Sequence, residues 1–165
     1  MESKVKLFGH PVHPMLIVLP LGLLSAAVVF DVVRLVTDDP TFNAVAFWNI
    51  AAGVVGGLLA AVFGAWDWTH IPSDTRAKRI GAMHGGGNVV VVTLFAISWV
   101  LRLGADRYEP SLLAYLLSFG GLVLATVTGW LGGELVDRLG VGVDRGAHLN
   151  ASNSLSGEPV SEERA

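Results

Sequence analysis

The side chains best suited to bind a metal or move a proton are four of the chain's five histidines: His10, His13, His70 and His84. His10 and His13 lie in the run Gly-His-Pro-Val-His-Pro at residues 9–14, each directly before a proline. A residue before proline is pushed towards extended backbone, so we expect both rings on a non-helical lead-in. Such a pair suits metal or haem ligation or a proton-active gate. The alternative is helix capping combined with anchoring at a membrane surface.

His84 is the strongest single candidate for a functional residue because of its neighbours in the chain. Gly85, Gly86 and Gly87 come next, and then Asn88, one helical turn from His84 on the same face. Three glycines weaken a helix by roughly 1 kcal/mol each relative to alanine. They are expected where another helix or a flat group such as a porphyrin presses on the backbone. The alternative is a hydrogen-bonded core histidine beside a packing notch.

Two carboxylates complete the candidate set. Asp67 stands between two tryptophans, and it could orient a histidine, bind a cation or be a simple interfacial charge. Glu134 ends the last apolar stretch. A carboxylate at a helix C-terminus is unfavourable with the helix dipole, which predicts a partner such as Arg76, Arg79 or a histidine.

The elements that must position these residues are apolar helices. The chain has 165 residues, of which 52% are hydrophobic and only 15% charged, with a mean hydropathy of +0.57. Soluble domains carry about 25% charged residues, and spanning a bilayer takes roughly 20 apolar residues. The pattern predicts an all-α integral membrane bundle of four transmembrane helices. The expected helices are at about 14–36, 44–68, 75–103 and 111–136, within a domain 1–145 followed by a disordered cytoplasmic tail 146–165.

Connectivity places the candidate site at one membrane face. Helices 1 and 3 begin where helices 2 and 4 end, so all four histidines, Asp67 and Glu134 emerge together. Eight of the eleven Lys and Arg residues share that face or its flanks, which predicts, by the positive-inside rule, that both termini are in the cytoplasm. The predicted location is the inner (plasma) membrane, with membrane lipid as the surroundings. At the opposite face, Asp31 and Arg34 are expected to form a structural ion pair at i, i+3.

Several function classes are disfavoured. The chain has no cysteine, which excludes disulfides, iron–sulfur ligation and thiolate zinc sites. A net charge of −3 offers no basic patch for nucleic acid. No nucleophile–base pair, phosphate loop or zinc-protease motif supports catalysis on a soluble substrate.

Small residues recur every fourth position in the second and fourth helices. Such ladders allow close approach of helices in lipid, and they also suggest a homo-oligomer. The ladders are Gly53, Gly57 and Ala61, and Gly121, Ala125, Gly129 and Gly133.

The chain resembles a family of bacterial integral membrane proteins known as domain of unknown function 2231. The resemblance extends to about residue 145, and it implies a four-helix membrane domain of unassigned activity. Some relatives are joined to Rieske-type iron–sulfur domains, which implies a redox setting for those relatives. Members often carry a further histidine where this chain has Val18, and sometimes one where it has Leu139. The motifs that carry the resemblance are Gly9–Pro14 with Leu19-Pro20, Trp66-Asp67-Trp68, Met83-His84-Gly85, Gly129–Leu135 and Gly140–Val143.

These residues support three hypotheses. The first is a haem b or divalent-metal site serving membrane electron transfer with a redox partner protein. His84 and His13 would be the axial haem ligands, with His10 or His70 as the alternative partner. The second is a small ion or proton transporter or subunit, with a metal set of His10, His13, Asp67, His84 and Glu134, of which Asp67, His84 and Glu134 line the path. The third is a structural partner for another membrane protein.

Overall fold

A computed structural model describes residues 1–156 and residue 158. A two-stranded hairpin comes first, with β1 (Lys6–Leu7) antiparallel to β2 (His10–Pro11). Phe8 and Gly9 form its two-residue turn with φ values of 50° and 83°. Two consecutive positive φ values match the right-handed twist of the flanking strands.

Four apolar helical spans come after the hairpin, which confirms the predicted all-α membrane bundle. The first span consists of α1 (Val12–Leu16) and α2 (Val18–Thr37), and the others are α3 (Thr41–Thr69), α4 (Arg76–Arg102) and α5 (Leu112–Gly133). A short 3₁₀ helix (Asp106–Tyr108) links α4 to α5, and a π-helical turn (Glu134–Arg138) ends the fourth span. The break between α1 and α2 lies one turn before Pro20, whose ring cannot donate to the Leu16 carbonyl.

The predicted domain 1–145 with a disordered tail at 146–165 stays a prediction. Residues 146–156 contain turns. Residues 157 and 159–165 lie outside the described part of the chain.

The helices pack as two hairpins. In the first hairpin α2 packs along α3, in the second α4 packs along α5, and the hairpins meet mainly through α3 and α4. The buried core between them consists of aliphatic side chains and one phenylalanine: Leu24, Ala27, Val28, Ile50, Val54, Val91 and Phe95. Large apolar side chains such as Val62 and Val123 cover the outer surface, as a lipid environment requires. We call the end with Val12, Thr69 and Arg76 the terminal face, and the end with Thr37, Thr41 and Arg102 the loop face.

Glycines of the predicted ladders provide the close helix contacts inside this single chain. A Cβ at Gly53 would lie 2.6 Å from the Leu24 side chain, and one at Gly121 would lie 2.8 Å from the Phe95 ring. These positions are therefore used within the bundle. A homo-oligomer formed through the ladders remains a prediction.

We expect Gly121→Ala to lower the free energy of unfolding by about 1–3 kcal/mol, because the new methyl group overpacks against the buried Phe95 ring. The matched control is Gly120→Ala, whose methyl group would meet no atom within 4 Å. This control should be neutral or up to about 1 kcal/mol more stable, since alanine favours helix. Unfolding by SDS in mixed micelles measures both, and equal stabilities would contradict the packing described.

Candidate functional site

His13 lies in the first turn of α1 and faces α3. Its Nδ1 is 2.9 Å from the Ala60 carbonyl oxygen, so this nitrogen carries the hydrogen and donates it. Gly64, one turn further along α3, makes room for the ring, because a Cβ there would lie 2.7 Å from His13 Cε1. The expectation of a non-helical lead-in was wrong for His13. Its position in the first helical turn tolerates the following proline, whose missing N–H is unneeded there.

His84 is held in the same way by the second hairpin. Its Nδ1 lies 2.8 Å from the Thr128 carbonyl oxygen, and a Cβ at Gly132 would lie 3.1 Å from its Cε1. Asn88 Nδ2 donates to the His84 carbonyl at 2.9 Å, and the Thr128 hydroxyl donates to Asn88 Oδ1 at 3.0 Å. This closed network fixes the ring against α5.

The amide nitrogen of Asn88 also lies 3.4 Å from His84 Nδ1 and 3.3 Å from Nε2. A position nearly equidistant from both nitrogens and in the ring plane would clash with Cε1, so the amide lies over the face of the ring. The in-plane lone pair of Nε2 is therefore not taken by Asn88.

The two histidines come together across the bundle. Their ring centres are 6.5 Å apart and their planes are perpendicular. Both are half-buried near the terminal face. Each ring donates Nδ1–H to a backbone carbonyl, which leaves the two Nε2 atoms as the nitrogens able to accept.

The remaining predicted site residues have other partners. His10 lies on β2, exposed, with its Nε2 3.4 Å from the Ser154 hydroxyl. His70 directly follows the last residue of α3 and is also exposed, and its Nδ1 lies 2.9 Å from the Trp66 carbonyl oxygen. Glu134 accepts from Arg76 Nη2 at 2.7 Å, so one of its predicted partners is confirmed.

Asp67 anchors the N-terminal segment. Its carboxylate accepts from Ser3 Oγ at 2.6 Å and from the Lys4 backbone N–H at 2.8 Å. Both carboxylate oxygens are thus engaged. Among residues 1–156 and 158, no three His, Asp or Glu side chains lie close enough to hold a metal ion.

Residues 1–7 and 140–145 form what we call the terminal clasp. The Gly142 N–H donates to the Met1 carbonyl at 2.7 Å, the Arg145 N–H donates to Glu2 at 3.1 Å, and Lys6 pairs with Asp144. The Arg145 N–H and then the Lys6 ammonium lower the pKa of Glu2 from its ordinary 4.5. The hydrogen bond to Asp144 raises the pKa of Lys6 from 10.5.

The clasp should loosen at both ends of the pH range. The Glu2 contribution is present above pH 4.5 and is lost as the pH falls through the lowered pKa. The Lys6 contribution is present below pH 10.5 and is lost as the pH rises through the raised pKa. Spin labels on Lys4→Cys and Val143→Cys measure this by electron–electron distance, because the chain has no other cysteine. A distance distribution that stays unchanged in acid would contradict the role of Glu2.

An ion pair at the loop face was missed by sequence reasoning. Arg102 Nη1 and Nη2 donate to Asp31 Oδ1 and Oδ2, both at 2.7 Å, and both side chains are 0% exposed. The Ser118 hydroxyl lies 3.2 Å and the Ser98 hydroxyl 3.4 Å from Arg102 Nη2. The bidentate pair joins α2 of one hairpin to α4 of the other.

The predicted Asp31–Arg34 pair was therefore wrong. Arg34 instead pairs with Asp38 at 2.5 Å and with Glu109 at 3.1 Å. Helical spacing brings Asp31 and Arg34 to neighbouring positions, but the Asp31 carboxylate turns inward to the buried guanidinium of Arg102.

The two hairpins present equivalent residues in equivalent roles. Asp31 and Arg102 are 71 residues apart, and the same offset relates the two histidines and relates Leu24 to Phe95. Leu24 and Phe95 each cover a ladder glycine on the next helix. The molecule therefore has an approximate internal two-fold symmetry about an axis along the bundle, and the two histidines and the buried ion pair each straddle that axis. The equivalent pairs are His13 and His84, Leu24 and Phe95, Asp31 and Arg102, Gly53 and Gly121, and Gly64 and Gly132.

Residues 9–145 match a family profile described as "Predicted membrane protein (DUF2231)". The chain belongs to the DUF2231 family. The match to DUF2231 includes His13, His84, Asp31 and Arg102, and it begins after the N-terminal part of the clasp. The family description fixes the class of protein, a membrane protein, without assigning an activity. No curated protein and no solved structure matches this chain.

Proposed function

We propose that this DUF2231 protein binds a b-type haem between His13 and His84 and takes part in membrane electron transfer. The single observation that carries the proposal is the matched pair of rings, each locked by a backbone carbonyl at Nδ1 and facing the other across the bundle axis. A histidine that binds a metal through Nε2 almost always donates its Nδ1–H to an acceptor, which fixes the tautomer and raises the basicity of the ligand. Both histidines have this arrangement.

The number of ligands favours haem over an ion bound by protein alone. A zinc site needs three or four protein ligands, and no group of three is present in the described residues. A haem iron needs two at most from the protein. His13 and His84 are the residues that would hold the iron, and their ring centres lie 6.5 Å apart.

The three glycines after His84 serve different purposes. Cβ atoms at Gly85 and Gly86 would meet nothing within 4 Å, and both residues are exposed, so they lie on the outer side of α4 and do not line the space between the two histidines. Gly87, in contrast, packs on Thr128. Glycine in this run thus serves helix packing at one position and leaves open surface at the other two.

In the proposed role, a bound haem would supply one-electron chemistry, and the protein would hold the iron ligands and exclude bulk water. We further propose that the site lies at the cytoplasmic face of the inner membrane, as the distribution of Lys and Arg predicts. A redox partner protein would then dock on the terminal face. The transporter hypothesis is less well supported, because Asp67 and Glu134 are engaged by Ser3, Lys4 and Arg76.

The test is the visible spectrum of the protein purified in detergent after expression in a haem-replete host. We expect about one haem per chain by the pyridine haemochrome assay, with a low-spin spectrum in both oxidised and reduced states. Metal analysis of the same sample should find iron. A sample without a Soret band or stoichiometric iron would refute the proposal, and stoichiometric zinc or copper would replace it with a different metal site.

A further inference from the structure

Seven residues at the loop face are linked to one another either by a contact or by one helical turn, and we call them the loop-face ring. Asp31 binds Arg102. Trp99 lies one turn before Arg102 on α4, and the centre of its indole ring is 5.7 Å from the centre of the Phe47 ring. Phe47 is one turn from Asn43, which donates to Glu109 at 2.7 Å. Arg34 donates to the same carboxylate at 3.1 Å. Asp31 itself lies one turn before Arg34 on α2. The ring thus draws its residues from α2, α3, α4 and the segment that follows the 3₁₀ helix.

Four buried polar atoms of this ring have no hydrogen-bond partner among the described residues. They are Arg34 Nε, Asn43 Oδ1, Trp99 Nε1 and Arg102 Nε. Asn43 and Arg102 are completely buried. Buried polar groups in native proteins are almost always hydrogen-bonded, and an unpaired one is especially unfavourable in a membrane, where lipid offers no substitute.

The chemistry of the four atoms indicates what binds there. Three are N–H donors and one is an amide oxygen acceptor. The formal charges of the seven residues balance, since Asp31 and Glu109 face Arg34 and Arg102, and Asp38, which also pairs with Arg34, is 94% exposed to solvent. The missing partner is therefore neutral, accepts more hydrogen bonds than it donates to the ring, and is small enough for a fully buried place.

We propose that the loop-face ring is a binding site for internal water, held by Trp99 Nε1, Arg102 Nε and Asn43 Oδ1. Water accepts and donates, and buried waters in proteins bind polar groups that lack a protein partner. The Glu109 side chain is 50% exposed, so it connects the ring to the solvent at the loop face. The proposed water would contact Arg102 at Nε, while Nη1 and Nη2 stay paired with Asp31.

The test uses the indole N–H of Trp99 as a reporter in the full chain, labelled with ¹⁵N-tryptophan. The five indole signals are assigned by single Trp→Phe variants. We expect the Trp99 indole proton to show a cross-peak to long-lived water and to exchange into D₂O. A Trp99 indole that shows no water cross-peak and resists exchange would overturn the proposal. The variants serve only to assign the signals, and the water contact itself is measured on the unsubstituted chain.

A matched variant then tests whether residues of the loop-face ring bind this water. Asn43→Leu removes the buried acceptor, and we expect it to weaken the Trp99 water cross-peak at least several-fold while the other four indoles stay unchanged. The control is Asn49→Leu, one to two turns along the same helix, whose amide donates to the Val45 carbonyl. A Trp99 water signal that persists in Asn43→Leu would place the water elsewhere and overturn the assignment.

Discussion

Replacing Asp31 with asparagine is expected to lower the free energy of unfolding by about 3–5 kcal/mol. The substitution keeps the shape of the side chain but leaves the guanidinium of Arg102 without its counter-charge. Because Arg102 is 0% exposed, neither bulk water nor lipid headgroups can readily replace the lost carboxylate. The pair also joins the two hairpins, so its loss should weaken their association more than the individual helices. SDS-induced unfolding in mixed micelles measures the change.

Two control variants separate this effect from a general loss of charge. Asp38→Asn removes a carboxylate that is 94% exposed, and we expect a change of at most about 1 kcal/mol. Replacing Asp31 and Arg102 together with leucine should recover most of the stability, because the desolvation of both charges is removed with them. Equal effects of Asp31→Asn and Asp38→Asn would contradict a buried, tightly coupled pair.

The second large effect concerns the proposed haem. His13→Ala and His84→Ala should each weaken haem binding at least about 100-fold. This loss exceeds the roughly 10–100-fold loss of affinity expected when a residue that only orients a metal ligand is removed. The expected observation is loss of the low-spin spectrum, with haem content measured against the wild-type protein. Thermal unfolding should show that the variants remain folded, since both side chains are only half-buried.

His10→Ala and His70→Ala are the matched controls for the ligand assignment. Both side chains are exposed, and their rings lie beside Ser154 and Trp66. They should retain the wild-type spectrum. If His13→Ala kept the low-spin spectrum while His10→Ala or His70→Ala lost it, haem would still be bound, but our choice of second ligand would be wrong.

Local sequence signals predicted the helices and the face at which the histidines lie. Charge-free stretches of membrane-spanning length are visible one by one, and connectivity then places His13 near His84. The partners of the charged groups could not be predicted from local stretches and connectivity. Asp31 pairs with a residue 71 positions away, while the i, i+3 rule offered only Arg34. Asp67 similarly binds the N-terminal segment, and nothing near it in the chain indicates that contact.

The position of His13 shows the same limit at short range. The proline after it favours extended backbone, but the first turn of a helix accepts proline. The contact with Ala60 and Gly64 holds His13 inside that turn. Tertiary packing therefore decided between two local conformations that the sequence alone permits.

The approximate two-fold symmetry affects which hairpins can pair with each other. Asp31 and Arg102 occupy equivalent positions but carry opposite charges. Two copies of the first hairpin would bring two carboxylates together in a buried place, and two copies of the second would bring two guanidinium groups together. Either self-pairing is penalised by repulsion between unneutralised buried charges. The buried pair thus makes each half selective for the unlike half, so that one histidine from each hairpin reaches the shared axis.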